Sequence, residues 1–161
     1  MGIFISGAQL AQIAVGIEKN GAAFYDSLAK SAADVTARDI YEHLASKERE
    51  HIEIFQNMLN IVGDYQSPET YTEEYDLYLK ALVETTVFSD EQVARQMAEK
   101  VASQAEAIQI GIGAEKDSIL FYSEMRELVR RSDREIMDKI IEEEKSHLRQ
   151  LSNLKKNQAR R

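Results

Sequence analysis

Two glutamate–histidine pairs stand where helices should carry leucine or isoleucine. Around Glu144 and His147 the hydrophobic residues fall at Met137, Ile140, Leu151 and Leu154, the three-and-four stepping of one helix face. The pair fills the gaps in that series, so the inward stripe reads Met137, Ile140, Glu144, His147, Leu151, Leu154. A second stripe has the same form: Ile40, Leu44, Glu48, His51, Phe55, Met58, Val62. An unpaired carboxylate on a buried face is expensive to desolvate. A metal ion can hold a glutamate and a histidine there.

Each pair follows another helical pattern that carries one more glutamate. The first stripe is Leu10, Ala14, Ile17, Gly21, Phe24, Leu28, with Glu18 and Tyr25 on its flank. The third is Ile108, Gly111, Glu115, Ser118, Tyr122, Met125, Val129. The two ends of the chain repeat one another. Glu18-Lys19 and Phe24-Tyr25 return as Glu115-Lys116 and Phe121-Tyr122 at an offset of 97. Thr36, Asp39, Ile40, Glu48 and His51 return as Ser132, Glu135, Ile136, Glu144 and His147 at an offset of 96, one residue having been lost in the turn. Each half is a hairpin with Glu on its first helix and Glu-x-x-His on its second. This is the ligand set that carboxylate-bridged di-iron and di-manganese four-helix bundles use. Four carboxylates supply hard, bridging, anionic ligands for two neighbouring ions, and two imidazoles complete the set. Six such ligands leave positions open for dioxygen or peroxide.

The elements that must position these residues are long helices. One proline and seven glycines leave few breaks. The patterns predict helices from about Gly7 to Ala29, from a capping box at Thr36–Asp39 to about Ile61, from Ser103 to about Val129, and onward from a capping box at Ser132–Glu135. Between the hairpins, Ser67-Pro68 can start a helix over 69–88, and Ser89–Gln92 a short one to about Lys100. The expected architecture is all-α: one domain over 1–161, with hairpin 7–62, crossover 63–102 and hairpin 103–155, forming a pseudo-symmetric four-helix bundle.

Composition narrows the function. Hydrophobic content of 43% and charged content of 30% suit a folded globular chain of 161 residues. A net charge of −8 argues against nucleic acid as the main partner. Without cysteine there are no disulfides, thiolate zinc sites, iron–sulfur clusters or cysteine nucleophiles. No stretch is apolar for long enough to span a membrane. The opening MGIFISGAQLAQIAVGIEK lacks the basic start of a signal peptide, so a cytoplasmic protein is expected. His43 has no counterpart in the repeat and reads as a surface residue. Glu50, Glu53, Glu142 and Glu143 lie off the stripes and read as solvated, as do the acidic run Glu73–Asp76 and the basic tail around Lys155, Lys156, Arg160 and Arg161.

On Glu18 with Tyr25, the run Lys47–His51, Glu115 with Tyr122, and Glu144 to His147, the chain resembles the rubrerythrin-like branch of the ferritin-like superfamily. The resemblance covers both hairpins, about 7–60 and 103–154. It implies that Glu48 and Glu144 bridge two metals, that Glu18 and Glu115 each cap one, and that His51 and His147 are terminal ligands. Tyr25 and Tyr122 would each donate to a carboxylate of the opposite hairpin. The implied cofactor is two iron ions, with manganese or a mixed pair as the alternative. The implied activity is reduction of hydrogen peroxide or dioxygen, in a homodimer or higher homo-oligomer. Two features depart from the family. The Cys-x-x-Cys rubredoxin module is missing, so electrons would come from a separate carrier protein. Ser118 replaces the glutamate usually found three residues after the third-helix ligand, which puts efficient peroxide reduction by that route in question. Ferrous-iron oxidation is the competing expectation. A metal-free structural bundle is a third, disfavoured by the cost of four uncompensated carboxylates.

Overall fold

The computed structural model describes residues 5–63, 65 and 71–161. Among these there are six α-helices and no strand. The first hairpin is α1 (Gly7–Ser31) and α2 (Val35–Val62). A crossover carries α3 (Glu73–Glu84) and α4 (Glu91–Lys100), and the second hairpin is α5 (Gln104–Leu128) and α6 (Arg134–Ala159). Within the bundle α1 packs on α5 and α2 on α6, while α3 lies against α5 and α4 against α1.

Local chemistry sets the helix ends. Ser6 caps α1 in a full capping box with Gln9. Ser103 caps α5, at the point where the pattern places the start of that helix. Three expected starts are corrected. Asp34, not Thr36, caps α2, accepting from the Ala37 amide at 2.9 Å. Asp90, not Ser89, caps α4. The box at Ser132–Glu135 does not form: a 3-10 turn, Arg131–Asp133, leads into α6, and the Asp133 carboxylate binds the Arg130 guanidinium instead of the helix amides. The Ser67-Pro68 start lies outside the described residues. Within them α3 begins after its N-cap Thr72 and stops at Glu84, four residues short of the expected Phe88.

The inward stripes bury as their spacing requires, with Ile17 and Ile40 only half-covered. The apolar core is split into two clusters. One contains Phe24, Leu28, Tyr41, Leu44, Ile108 and Leu151; the other contains Leu10, Phe55, Met125, Met137 and Ile140. On every bundle helix the chemically active residues fall between the members of these two clusters. The polar layer is therefore closed above and below by hydrocarbon.

Asp76 corrects the reading of the acidic run as wholly solvated. It is only 4% exposed, accepts from the Ile5 amide and the Tyr71 hydroxyl, and pairs with Lys80. It ties α3 to the start of α1.

Candidate metal centre

The four bundle helices bring Glu18, Glu48, His51, Glu115, Glu144 and His147 into one cluster, each at most 3% exposed. Two overlapping groups of four ligand atoms form, with all atoms of a group within 4.8 Å of one another. One comprises Glu18, Glu48, His51 and Glu144; the other comprises Glu48, Glu115, Glu144 and His147. Glu48 and Glu144 belong to both. The shared pair comes from the second helices of the hairpins and the unshared glutamates from the first, as the internal repeat requires.

Orientation follows from helix geometry. Tyr25 and Tyr122 each stand seven residues after a cluster glutamate, about two turns along the same helix. The Tyr25 hydroxyl donates to Glu115 Oε1 and the Tyr122 hydroxyl to Glu18 Oε1. These reciprocal bonds require α1 and α5 to run antiparallel, so each tyrosine lies opposite the other helix's glutamate. Each bond occupies one carboxylate oxygen and leaves Oε2 turned inward.

Electrostatics make the cluster costly when it holds only protein atoms. Burial, then the neighbouring Glu18, holds the Glu48 and Glu144 carboxyls well above the usual carboxylate range. Burial opposes charge on His51, but Glu144 and Glu18 outweigh it and push its pKa up to about 11. Burial and the surrounding carboxylates also keep Tyr25 and Tyr122 protonated.

The donor set fits metal ions. Glu18 Oε2, Glu48 Oε1, Glu115 Oε2, both oxygens of Glu144, and Nδ1 of His51 and His147 are buried without a hydrogen-bond partner. His51 Nδ1 lies 2.9 Å from Glu144 Oε1 and 3.4 Å from Glu18 Oε2 without hydrogen-bond geometry. Natural proteins rarely leave so many buried polar atoms orphaned. All belong to hard oxygen or imidazole donors, the types that iron and manganese take.

One neighbour of the cluster was not legible as a site residue. Glu143, expected to be solvated, lies 2.9 Å from His51 Nε2 and fixes which ring nitrogen faces the cluster. The repeat places Lys47 at the corresponding position before Glu48, and Lys47 pairs with Glu50 instead. The break in symmetry between Lys47 and Glu143 is the sequence signal that could have found it. Gly21 abuts the Glu48 carboxylate. Ser118 is buried beside Glu115, and its hydroxyl donates to the Ala114 carbonyl of its own helix at 3.2 Å. His43 is exposed, as expected.

Fold and site together define a helical bundle with a buried carboxylate–histidine centre suited to two metals. The chain belongs to the rubrerythrin family, whose model matches residues 11–155. Among solved structures it is similar to a protein of Thermotoga maritima described as ferritin-like and diiron-carboxylate. The two share 24% identity with a TM-score of 0.69, over 97% of this chain and 98% of that one. That likeness shows the ferritin-like fold. No curated protein matches. No helix among the described residues is long and apolar enough to cross a membrane.

Proposed function

We propose that this chain binds two metal ions, iron in the first instance, and reduces hydrogen peroxide or dioxygen with electrons from a separate carrier protein. The observation that carries the reading is the pair of overlapping ligand groups sharing Glu48 and Glu144, with their inward atoms unsatisfied. Glu18 with His51 would hold one ion, Glu115 with His147 the other, and Glu48 and Glu144 would span them. Manganese or a mixed pair suits the same donors.

When bound, the two ions supply Lewis acidity and the redox change needed to cleave an O–O bond. The protein's own groups handle protons. Reducing one peroxide to two waters consumes two electrons and two protons. The Tyr25 and Tyr122 hydroxyls donate to Glu115 and Glu18, where they can pass a proton to a carboxylate oxygen, and Tyr25 borders the small cavity from which a water can return it. The apolar clusters on both sides keep bulk water out.

The test is metal analysis of reconstituted protein, followed by peroxide consumption with an artificial one-electron reductant. Two ions per chain and reductant-dependent consumption are expected. Ferrous oxidation by dioxygen without catalytic peroxide turnover would favour iron handling instead. A stoichiometry of one or none overturns the metal reading.

A further inference from the structure

The crossover segment between α3 and α4 covers one face of the cluster, on the side away from the His51–Glu143 contact. A cavity of about 30 Å³ lies there, lined by Glu48, Glu115, Tyr25, Gly21 and Ser118 on its inner side and by Asn20, Asp117 and Thr86 on its outer side. That volume holds about one water. Four larger cavities among the described residues are lined by none of the six cluster residues.

The internal repeat explains why the opening exists. At the offset of 97, Gly21 corresponds to Ser118 and Asn20 to Asp117. Two small residues at equivalent positions thin the α1–α5 seam above the carboxylates. Two polar residues, one step before them, hold the cover over it. Asn20 Nδ2 donates to the Phe88 carbonyl at 3.2 Å, and Asp117 Oδ2 accepts from the Val87 amide at 2.8 Å. The cover has a fixed end: the Phe88 ring packs on Phe24 with centroids 4.7 Å apart. Thr86 and Val87 are half-exposed and belong to no helix.

We propose that Thr86, Val87 and their anchors Asn20 and Asp117 form the entrance to the carboxylate–histidine site and set the size of what enters. In that space a water fits as it stands, and peroxide, dioxygen or a largely dehydrated metal ion needs only small side-chain shifts, whereas an organic hydroperoxide or an aromatic carboxylate needs the cover itself to move. This rests on the reading of the cluster as a metal site, and the experiment separates the two.

The probe is Co²⁺ added to metal-free protein and followed by visible absorbance. A Cβ at Gly113 would lie 3.2 Å from Val87 Cγ2, within reach for a disulfide in the double variant Gly113→Cys, Val87→Cys. The natural chain has no cysteine, so this bond forms alone. Oxidised, the variant should load cobalt about tenfold more slowly than when reduced by a phosphine, to the same final amount. Asn20→Ala should load faster than the wild type. On cobalt-loaded protein, azide should shift the spectrum of wild type and Asn20→Ala alike, whereas benzoate should shift only that of the variant. Equal loading rates in oxidised and reduced protein, with full uptake, overturn the entrance and leave the metal site standing. Benzoate reaching the wild-type ions overturns the size limit. Failure of the wild type to take up cobalt or ferrous iron removes the metal reading, and the entrance with it.

Discussion

Gly21 on α1 and Glu48 on α2 occupy space that only glycine leaves free: a Cβ at position 21 would overlap Glu48 Oε2. The contact atom is the mobile end of a side chain, so Gly21→Ala should fold. The displaced carboxylate is one of the two shared by both ligand groups. Metal affinity should therefore fall by about 10–100-fold, the range seen when a ligand loses its positioning contact. Competition against a chelator, with circular dichroism as the control for folding, measures it.

Tyr25→Phe and Tyr122→Phe remove one hydrogen bond each from Glu115 and Glu18 without changing the packing of the ring. Metal stoichiometry should stay at the wild-type value. Peroxide turnover should drop by about tenfold or more, because a positioned proton donor contributes at least that much. Loss of metal rather than rate in either variant would assign these tyrosines to holding the carboxylates alone.

Glu143 breaks the equivalence of the two halves. It meets His51 Nε2 at 2.9 Å, while Lys47, its counterpart in the repeat, pairs with Glu50. Glu143→Gln should weaken the metal position built on Glu18 and His51 by about 10–100-fold and spare the position built on Glu115 and His147. Lys47→Ala should change neither. A stepwise metal titration distinguishes one weakened step from two.

The metal-free protein should lose stability as pH rises. Glu48 and Glu144 have folded-state pKa values above the ordinary 4.5, and His51 is raised from 6.5 to about 11. For all three, the folded state binds protons more tightly than the unfolded chain. Their contribution is complete below the unfolded values and is lost as pH climbs through the folded ones. Thermal melts of apo protein between pH 5 and pH 9 should fall steadily. The gain from added metal should grow over the same interval, since cations replace the missing protons. An apo melting temperature that is flat across it would show that the cluster is not under charge strain.

The six cluster residues were legible because burial and chemistry conflict at those positions. A carboxylate or imidazole on an inward stripe needs a reason, and the repeat supplied the same reason twice. Glu143 gave no such conflict. It lies beside the stripe, and its role depends on which way the His51 ring turns, a matter of contacts between α2 and α6. Asn20 and Asp117 were missed for a related reason. Their partners are backbone atoms of the crossover, and backbone partners leave no residue pattern to read. The helix starts shifted where several capping residues compete: Asp34 wins over Thr36, and Asp133 is drawn away by Arg130. Asp76 looked solvated within an acidic run because its partners, Ile5 and Tyr71, lie outside that run.

Ser118 tests whether the missing glutamate limits this protein. It faces the cavity beside Glu48 and Glu115, but its hydroxyl is turned back to the Ala114 carbonyl and offers the cluster little. The space in front of it, about 30 Å³, holds a water and not a carboxylate with its methylenes. Ser118→Glu must therefore push out that space toward Thr86 and add a fifth buried carboxylate to a crowded layer. Without metal this should lower the melting temperature, because the new charge has no partner among Glu18, Glu48, Glu115 and Glu144. With metal bound, the added carboxylate has cations to face, so the gain from metal should exceed that of the wild type. Peroxide turnover should rise by about tenfold if a further anionic ligand is what the oxidised state lacks. Steady-state consumption with one artificial reductant, alongside apo and metal-loaded melts, reads both effects. A larger metal-dependent gain in stability with an unchanged rate would mean that the new carboxylate binds and does not help. Peroxide reduction would then be limited elsewhere, and iron oxidation would become the stronger account of this centre.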